Sequence, residues 1–564
     1  MTGAAAKQQL AGVLLFAAGV VLYLSFGYTE MAGSDMWWHL AAGRELLQTQ
    51  SLWMVDAWSY TAGGEEWLNH EWLADIIFYA WVSLWGVEAI VFWKWLVLVA
   101  TFTTLQFVLY RETGSHLAAL LCAVMAVAVA APFIDVRPHL YSLLNYSLLL
   151  ALLLDRRART WVLMLLFLLW VNLHGGFFFG LMALGILLFP WRDFSLDRLR
   201  AAFVVGLCCL LAASLNPSGL KTFLYPLTYA FDSSSPYRGL GEWLGPFRQG
   251  GIRSPWFFIF MWAPALALLY LLPPVRRATG VPWEGLALTA LTLAMAMTSR
   301  RFIPLFGMSL ALLLAPLLAL ACRRLLLEKY AALAALPLLA WGFHRLAPYP
   351  LQPAPAFHYL TAEYSYPVDL LDFIEVNGIR GNVWSYYNWG GYLHWRTDGG
   401  LQVFIDGRAD TVFDAEAYRE YVAVLSSQAD WIARVEDSGA DYMLWPHFRG
   451  DGRDKLRQLV ATDRWRPVYR DATGWLLARS QVELPELRPS PDTPWRNLSG
   501  AQLASWRGDS ERALDYGRKV LDVMPWNKGA CNLVMSSYRA NGQDAAAEAV
   551  LAECRDWFPS KYLR

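Results

Sequence analysis

Long apolar stretches constrain this chain more than any other feature, because a run of about 20 apolar residues needs a lipid bilayer or a large protein core around it. Such stretches dominate the first 346 residues, and 56% of the whole chain is hydrophobic, which is high for a soluble protein. We predict a multi-span α-helical membrane protein. The eleven predicted spans are 10–27, 87–110, 116–133, 140–154, 160–173, 175–190, 201–215, 255–273, 281–298, 302–321 and 330–346.

The connections between these stretches predict an orientation. Short arginine-rich connections such as "LDRRART" (154–160), "VRRATG" (275–280) and "CRRLLLEK" (322–329) all fall on one side when the N-terminus is cytoplasmic. Lysine and arginine favour the cytoplasmic side. We therefore expect a multi-pass protein of a bacterial inner membrane with residues 347–564 in the periplasm. The first stretch also fits a signal peptide, but an uncleaved helix is preferred because "SFGYTEMAG" is a poor cleavage site.

The first outer loop, residues 28–86, is long and rich in acids and tryptophan. Its segment "DMWWHLAAGRELL" has helical periodicity, which places Asp35 and His39 on one face. Trp37 and Trp38 beside them are typical of an anchor at the membrane surface. We interpret "EWLADIIFYAWVSLW" (71–85) as a helix lying along the outer surface, since counting it as a span would reverse every later loop.

Other predicted outer loops also carry charged residues and histidine. Asp135 and Arg137 lie in "PFIDVRPHL", His174 lies in "NLHGG", and Arg300 and Arg301 lie in "SRRFIP". Carboxylates can hold a divalent metal or act as a base, and arginines can bind a phosphate through two hydrogen bonds. Any one of these residues fits a purely structural role, such as an arginine that meets lipid headgroups. Together they predict a site for a lipid-borne phosphate at the outer face.

Residues 10–346, approximately, resemble the GT-C superfamily of membrane glycosyltransferases. The resemblance lies in "DMWWHLAAGREL" and "NHEWLADIIFYAWVSLWG", which are similar to paired surface helices of a long first loop, and in "PFIDVRPHL", similar to the second outer loop. It implies an inverting transfer of a sugar or glycan from a polyprenyl-phosphate-linked donor to a glycan, lipid or protein acceptor. The chain departs from the family pattern, since no Asp-Asp or Asp-x-Asp pair lies near Asp35.

The resemblance also implies roles for particular residues. Asp35 is the candidate catalytic base, and His39 and Asp135 are further catalytic candidates. A divalent metal (Mg, Mn or Zn), if one is used, would be held by Asp35 together with Glu30 or Asp135. The residues expected to bind the lipid phosphate are Arg137, His174, Arg300 and Arg301.

Beyond a proline-rich linker, residues 347–357, mixed helix and strand patterns predict a small α/β domain over residues 358–482. In it "PVDLLDFIEVNG" predicts a helix that ends at a glycine, and "WRPVYRDATGWLLARS" predicts a hairpin that turns at Ala472-Thr473-Gly474. Its segment "SYYNWGGYLHW" (385–395) resembles the aromatic acceptor-binding motif of oligosaccharyltransferase catalytic subunits, and it also fits a simple turn. The segment "DGRAD" (406–410) follows a predicted strand and fits either a substrate site or an internal salt-bridged turn. The candidate acceptor- or sugar-binding residues are Trp389, Tyr392, Asp406 and Arg408.

A second linker, residues 483–496, leads to an internal repeat over residues 497–564. "GDSERALDYGRKVLDVMP" and "GQDAAAEAVLAECRDWFP" align without gaps at a spacing of 34 residues, the period of tetratricopeptide repeats. Two such repeats predict a contact with a protein partner or a purely structural role. Cys531 and Cys554 lie in the second repeat and could pair in an oxidising compartment, although the sequence alone leaves this open.

Two other functions fit the same sequence features. A flippase or transporter for lipid-linked glycans predicts charged residues deep within the spans. A non-catalytic scaffold for envelope assembly predicts that the outer acids are dispensable and that the repeats bind the partner. The balance of 47 basic and 47 acidic residues gives no indication of a nucleic-acid partner.

Overall fold

The computed structural model describes residues 3–29, 33, 35–154, 158–231, 235–361, 365–447, 450–558 and 563. The chain divides into two compact units. The first comprises Met1–Met31, His70–Ala74 and Phe92–Ala347, and the second comprises Ala32–Asn69, Asp75–Val91 and Pro348–Arg564. The second unit's last segment begins at Pro348, and most of the first outer loop also belongs to the second unit. The predicted domain boundaries stay predictions.

The regular elements are mostly helical. Among the described residues the α-helices are α1 Gly3–Gly27, α2 Asp35–Thr49, α3 Trp72–Trp85, α4 Ile90–Thr113, α5 His116–Ala130, α6 His139–Leu154, α7 Thr160–Leu173, α8 Phe177–Leu188, α9 Leu196–Ala213, α10 Leu220–Phe231, α11 Pro255–Phe260, α12 Pro273–Thr279, α13 Trp283–Thr298, α14 Ile303–Arg324, α15 Ala331–Leu346, α16 Pro353–Leu360, α17 Val368–Val376, α18 Gly390–Thr397, α19 Ala415–Leu425, α20 Trp431–Asp437, α21 Gly452–Val460, α22 Pro494–Trp506, α23 Ser510–Val523, α24 Lys528–Ala540 and α25 Asp544–Arg555. The strands are β1 Met54–Val55, β2 Glu66–Trp67, β3 Gly381–Ser385, β4 Leu401–Val403, β5 Tyr442–Pro446, β6 Trp465–Arg470 and β7 Gly474–Arg479.

Several helices have the length and composition of membrane spans. Within the described residues these are Gln9–Gly27, Val87–Thr113, His116–Phe133 and Arg300–Arg324, and a bent pair, Pro255–Leu271 with Pro273–Thr279, brings the number from four to at most five. This agrees with a helical membrane protein. The other predicted spans are helical too, but they are shorter or less apolar than a span that crosses a bilayer of about 30 Å unaided. The number eleven therefore stays a prediction.

A five-stranded mixed sheet is the centre of the second unit, as the predicted α/β pattern requires. Its strand order is β4-β3-β5-β7-β6, with β3 parallel to both β4 and β5, and β7 antiparallel to both β5 and β6. The predicted hairpin turn after Arg470 joins β6 to β7. The predicted helix at "PVDLLDFIEVNG" is α17, and Gly378 just beyond it takes a positive φ of 60° that favours glycine.

The first outer loop pairs with the edge of this sheet. The Val403 amide donates to the Trp58 carbonyl (2.9 Å), and the Tyr60 amide donates to the Val403 carbonyl (3.2 Å). The Thr61 hydroxyl also donates to the Phe404 carbonyl at 2.5 Å. These bonds satisfy backbone groups on an edge strand that would otherwise meet solvent, and they explain why this loop belongs to the second unit.

The C-terminal helices follow the predicted 34-residue spacing. Helix α24 begins 34 residues after α22, and α25 begins 34 residues after α23. Each repeat therefore contains two helices, as a helix–turn–helix repeat requires; the assignment to the tetratricopeptide family stays a prediction. The pairing left open by the sequence is present, since Cys531 and Cys554 form a disulfide that joins α24 to α25.

Replacing Cys531 with serine should destabilise this helix pair. The disulfide joins residues 23 positions apart in sequence. A cross-link over a loop of this size stabilises the folded state by about 3 kcal/mol, because it lowers the entropy of the unfolded chain. We expect amide hydrogen exchange in peptides from α24 and α25 to become about 100-fold faster. Cys208→Ser, at a free and partly exposed cysteine, is the matched control and should leave this exchange unchanged. Equal exchange in the two variants would contradict a stabilising role for the disulfide.

Candidate functional site

Polar side chains collect at helix ends in the first unit. We define the polar cluster as Glu71, Arg137, His139, His174, Glu242 and Arg301. Four of them lie at or within two residues of the ends of α3, α6 and α7, and Arg301 lies in the short 3₁₀ turn Arg300–Phe302 before α14. Helix ends leave backbone groups unpaired and point side chains to one level of a bundle, so residues far apart in sequence meet there. The cluster thus joins five loops that the sequence predicts on one side.

Two arginines of the polar cluster share one carboxylate. Arg137 Nη1 donates to Glu242 Oε2 at 2.9 Å, and Arg301 Nη1 lies 3.9 Å from Glu242 Oε1. Burial alone would raise the pKa of Glu242, but the charges of Arg137 and Arg301 outweigh it and lower that pKa to about 2. Glu242 is therefore ionised at neutral pH. Two guanidinium groups share this carboxylate, and each keeps exposed surface that an anionic ligand can reach.

Neighbouring side chains hold Arg137 and Arg301 in defined orientations. The Arg301 guanidinium lies 4.1 Å from the centre of the Trp243 ring, a cation–π contact. The side chains of Arg137 and Arg301 are 30% and 27% exposed, so each keeps part of its hydrogen-bonding surface accessible. Fixed orientation with partial exposure is what bidentate phosphate binding requires.

Glu71 lies between two histidines. Its Oε1 atom is 3.6 Å from His174 Nε2 and 3.7 Å from His70 Nε2. His174 Nδ1 accepts from the Gly176 amide (2.9 Å) and lies 2.7 Å from the Ser142 hydroxyl, so the proton of its neutral ring is on Nε2, facing Glu71. The carboxylate therefore faces a neutral N–H group rather than a second anion.

The charge state of His174 follows from its surroundings. Burial, followed by the charge of Arg301 and the neighbouring histidines, lowers the pKa of His174 well below its usual range. The ring centre of His139 is 6.5 Å from that of His174, and His139 Nε2 donates to the Phe133 carbonyl at 2.7 Å. His174 is thus neutral at pH 7, and the polar cluster contains ionised carboxylate and guanidinium groups around it.

Hydrogen bonds next to Glu71 fix its position in the first unit. Trp72 Nε1 donates to Asn172 Oδ1 at 2.6 Å, and Asn216 Nδ2 donates to the same oxygen at 3.1 Å. Asn216 in turn accepts from the Thr222 hydroxyl at 2.8 Å. This network ties the start of α3 to the ends of α7 and α9, which holds Glu71 and His174 near each other.

Two predicted residues of the first unit have other partners. Arg300 is buried, and its guanidinium donates to the backbone carbonyls of Arg248 and Gly250, so it holds the preceding loop. These donors already bind protein oxygens, and the contact of Arg300 with a lipid phosphate stays a prediction. Asp135 is also buried, accepts from the Val136 amide at 2.7 Å and interacts with the charge of Lys94.

Asp35 and His39 belong to the second unit. They lie one turn apart at the start of α2, as predicted. His39 is 1% exposed, and its Nδ1 donates to Asp75 Oδ1 at 2.6 Å, while Asn69 donates to the other oxygen of Asp75 at 2.8 Å. A catalytic acid or base has to reach its substrate. The structure therefore gives His39 a role in joining α2 to α3, and Asp35, which is half-buried, stays the catalytic candidate of this helix.

The predicted membrane anchor on α2 is contradicted. Trp37 is buried within the second unit against Phe357, Tyr366 and Tyr392, and Trp38 is buried against the His39 ring. An interfacial anchor exposes its ring to lipid headgroups. These tryptophans instead pack in the apolar interior of the second unit. The sequence alone does not distinguish buried tryptophans from tryptophans at a membrane surface.

Asp406 and Arg408 form a buried ion pair with the first outer loop. Arg408 Nη1 donates to Asp56 Oδ1 at 2.6 Å, and Arg408 Nη2 donates to Asp406 Oδ2 at 2.8 Å; the three side chains have no exposed surface. The guanidinium also lies 4.3 Å from the centre of the Trp58 ring. These contacts favour the internal salt-bridged turn over a sugar-binding site, because every donor of the pair is directed at protein.

Trp389 and Tyr392 also lie in the interior. Trp389 is 2% exposed and donates to the Ser365 carbonyl at 3.1 Å, and Tyr392 is 1% exposed and accepts from Arg396. A ring that stacks on a sugar has to be exposed, so this burial favours a packing role, and the role of Trp389 and Tyr392 in acceptor binding stays a prediction. The segment is a 3₁₀ turn followed by α18, and Gly390 is required there because an added Cβ would lie 2.4 Å from the Asp406 Cβ.

The predicted metal ligands are distributed over different parts of the chain. Asp35 and Asp135 belong to different units, and Glu30 lies outside the described residues. Across the described part of the chain, no group of three or more His, Cys, Asp or Glu side chains has the placement of a metal site. The metal that the resemblance allows stays a prediction, and we derive no step through it.

The sequence gives little indication of three members of the polar cluster. It places Glu71 at the start of a predicted surface helix, His139 in a connecting loop and Glu242 in a long loop without periodicity. A usable signal was the occurrence of "NHEW" and "NLHGG" at the ends of predicted helices on one side. No protein-family model matches this chain, and no curated protein sequence matches it.

Proposed function

We propose that this protein is a membrane glycosyltransferase of the GT-C type, moving a sugar or glycan from a polyprenyl-phosphate-type donor to an acceptor at the periplasmic face. The observation that carries the proposal is the polar cluster, in which two partly exposed arginines share a single carboxylate beside Glu71. Such an arrangement suits a phosphate leaving group next to a carboxylate base. A chain with several apolar helices suits a substrate that is itself anchored in lipid.

The arginines have the role of holding the donor phosphate. Arg137 and Arg301 would each donate to non-bridging phosphate oxygens, and Glu242 would keep both guanidinium groups oriented. Charge that develops on the phosphate as its bond to the sugar breaks would be stabilised by the same donors. His174 remains neutral and would contribute hydrogen bonding rather than charge.

The reaction is a substitution at the anomeric carbon. The acceptor oxygen forms a bond to that carbon, the bond between the carbon and the phosphate oxygen breaks, and the polyprenyl phosphate leaves with the bonding electrons. The acceptor proton passes to a carboxylate, and the configuration inverts. The resemblance assigns this base to Asp35. We favour Glu71, because it is in the same unit and the same cluster as the phosphate-binding arginines.

The compartment follows from the same proposal. The disulfide between Cys531 and Cys554 is typical of an oxidising compartment such as the periplasm. It supports a periplasmic C-terminal part, a cytoplasmic N-terminus and a location in a bacterial inner membrane. The C-terminal repeats would then be available for the acceptor or a protein partner.

Binding of polyprenyl phosphate to the full-length protein in lipid nanodiscs tests the phosphate site. Each of Arg137→Gln and Arg301→Gln removes charge-assisted hydrogen bonds worth about 1.5–3 kcal/mol, so native mass spectrometry should show affinity about 10- to 100-fold lower. Arg198→Gln is the matched control, because it removes the same charge from an exposed side chain that pairs with Asp193. Unchanged affinity in both cluster variants would contradict the proposal.

A further inference from the structure

A cavity of about 480 Å³ lies where a long apolar helix breaks in the first unit. The stretch ending at Leu271 and the helix beginning at Pro273 meet at a bend of 99°. Pro273 and Pro274 cause the break, because proline lacks an amide hydrogen and forces the residue before it into an extended conformation. Leu272 has that conformation, with φ −71° and ψ 122°. The volume is in the range of about 300–1,000 Å³ typical of ligand pockets.

The cavity walls are apolar. Tyr270 and Leu271 line it from the broken helix, Trp283 and Leu286 line it from α13, and Leu313 lines it from α14. The Tyr270 hydroxyl donates to the Leu313 carbonyl at 2.8 Å, so the most polar wall residue is already satisfied by protein. Walls of this kind suit a hydrocarbon chain and disfavour a small water-soluble ion.

The same cavity carries two arginines. Arg192 is 53% exposed and lies 3.6 Å from Glu284, and Arg276 is exposed and forms no ion pair within the described part of the chain. Arg277 follows it directly. One carboxylate thus offsets only part of the positive charge around this cavity. Apolar walls combined with arginines suit an amphiphile whose headgroup is an anion.

We propose that this cavity binds an anionic phospholipid, with an acyl chain along the apolar walls and the phosphate between Arg192 and Arg276. Basic pockets between membrane helices commonly bind such headgroups on the cytoplasmic side. Arg192 lies in "WRDFSLDRLR" (191–200) and Arg276 lies in "VRRATG" (275–280). Both are short arginine-rich connections that the sequence predicts to be cytoplasmic, where anionic phospholipids are available. The cavity shares no residue with the polar cluster, and this site is independent of the proposed transferase activity.

Lipid selectivity of the full-length protein tests this site. We expect native mass spectrometry of the detergent-solubilised protein to show phosphatidylglycerol retained about tenfold or more over phosphatidylcholine. A lysine or arginine near a membrane surface contributes about fivefold to the binding of anionic lipid. Arg192→Gln and Arg276→Gln should therefore each lower the preference about fivefold, and the double variant should nearly abolish it.

The controls separate this site from other sources of lipid binding. Arg200→Gln removes an exposed arginine outside the cavity and should keep the preference. Leu286→Trp fills the cavity and should reduce the retention of phosphatidylglycerol while both arginines remain. Equal retention of the two phospholipids, or an unchanged preference in the double variant, would overturn the proposal. Displacement of phosphatidylglycerol by an equal concentration of polyprenyl phosphate, in a manner dependent on Arg276, would overturn the choice of occupant.

Discussion

Glu71→Gln is expected to lower sugar transfer about 10²- to 10⁴-fold, the usual effect of losing a general base. The amide keeps the size of the side chain and its place between His70 and His174 but cannot accept the acceptor proton. Expression and folding should be unaffected, because the change neutralises one partly buried carboxylate. The measurement is the amount of sugar incorporated into envelope glycans of a deletion strain that carries the variant at the wild-type protein level.

Two matched substitutions identify the base. Glu65→Gln changes an exposed glutamate of the same loop and should retain full transfer. Asp35→Asn removes the base that the resemblance suggests. If Asp35→Asn abolishes transfer while Glu71→Gln retains it, the base is Asp35 and our assignment of Glu71 is wrong, although the transferase proposal stands.

Arg408→Met is expected to have the largest effect on stability. It leaves Asp56 and Asp406 as buried carboxylates without their cation, and breaking a buried ion pair from one side costs about 3–5 kcal/mol. Amide hydrogen exchange in peptides from β4 and from residues 56–61 should accelerate about 10²- to 10³-fold. The physical reason is that the buried triad of Asp56, Asp406 and Arg408 joins the first outer loop to the sheet.

Arg434→Met is the matched control for this prediction. Arg434 pairs with Glu420 and Asp430 at a partly exposed position, where an ion pair contributes at most about 1 kcal/mol. Substituting all three triad residues, as Asp56→Asn, Asp406→Asn and Arg408→Met, removes the unpaired charges and should recover part of the loss. If Arg408→Met is as stable as Arg434→Met, the triad does not hold the loop.

Local patterns predicted most individual elements of the fold. The periodicity of "DMWWHLAAGRELL", the glycine after α17 and the turn between β6 and β7 each depend on neighbouring residues, and the structure contains all three elements. The 34-residue spacing likewise depends only on the sequence. The number of membrane spans is harder to predict from the sequence, because a helix of about 14 to 16 apolar residues fits a short span or a buried helix equally well.

The contacts that determine the candidate site and the buried ion pair of Arg408 are long-range, which is why the sequence could not supply them. Arg408 and Asp56 are 352 positions apart, and Arg137 and Glu242 are 105 positions apart. From the sequence, the aromatic residues of α2 and α18 fit a surface that contacts lipid or sugar. In the structure Trp37 and Tyr392 are buried, and they pack against other side chains. Arg300 and Arg301 are adjacent in sequence, yet only Arg301 keeps exposed donors, a difference set by the loop that covers Arg300.

The most direct test compares lipid-linked sugars and envelope glycans in a deletion strain with and without the complementing gene. The account predicts that deletion removes one sugar or glycan from the envelope and raises the pool of its polyprenyl-linked form. Wild-type protein should reverse both changes, and Glu71→Gln at equal abundance should reverse neither. If deletion leaves both pools unchanged, or if Glu71→Gln and Asp35→Asn restore them as well as the wild type, the protein is not the transferase proposed, and the second result would favour a scaffold.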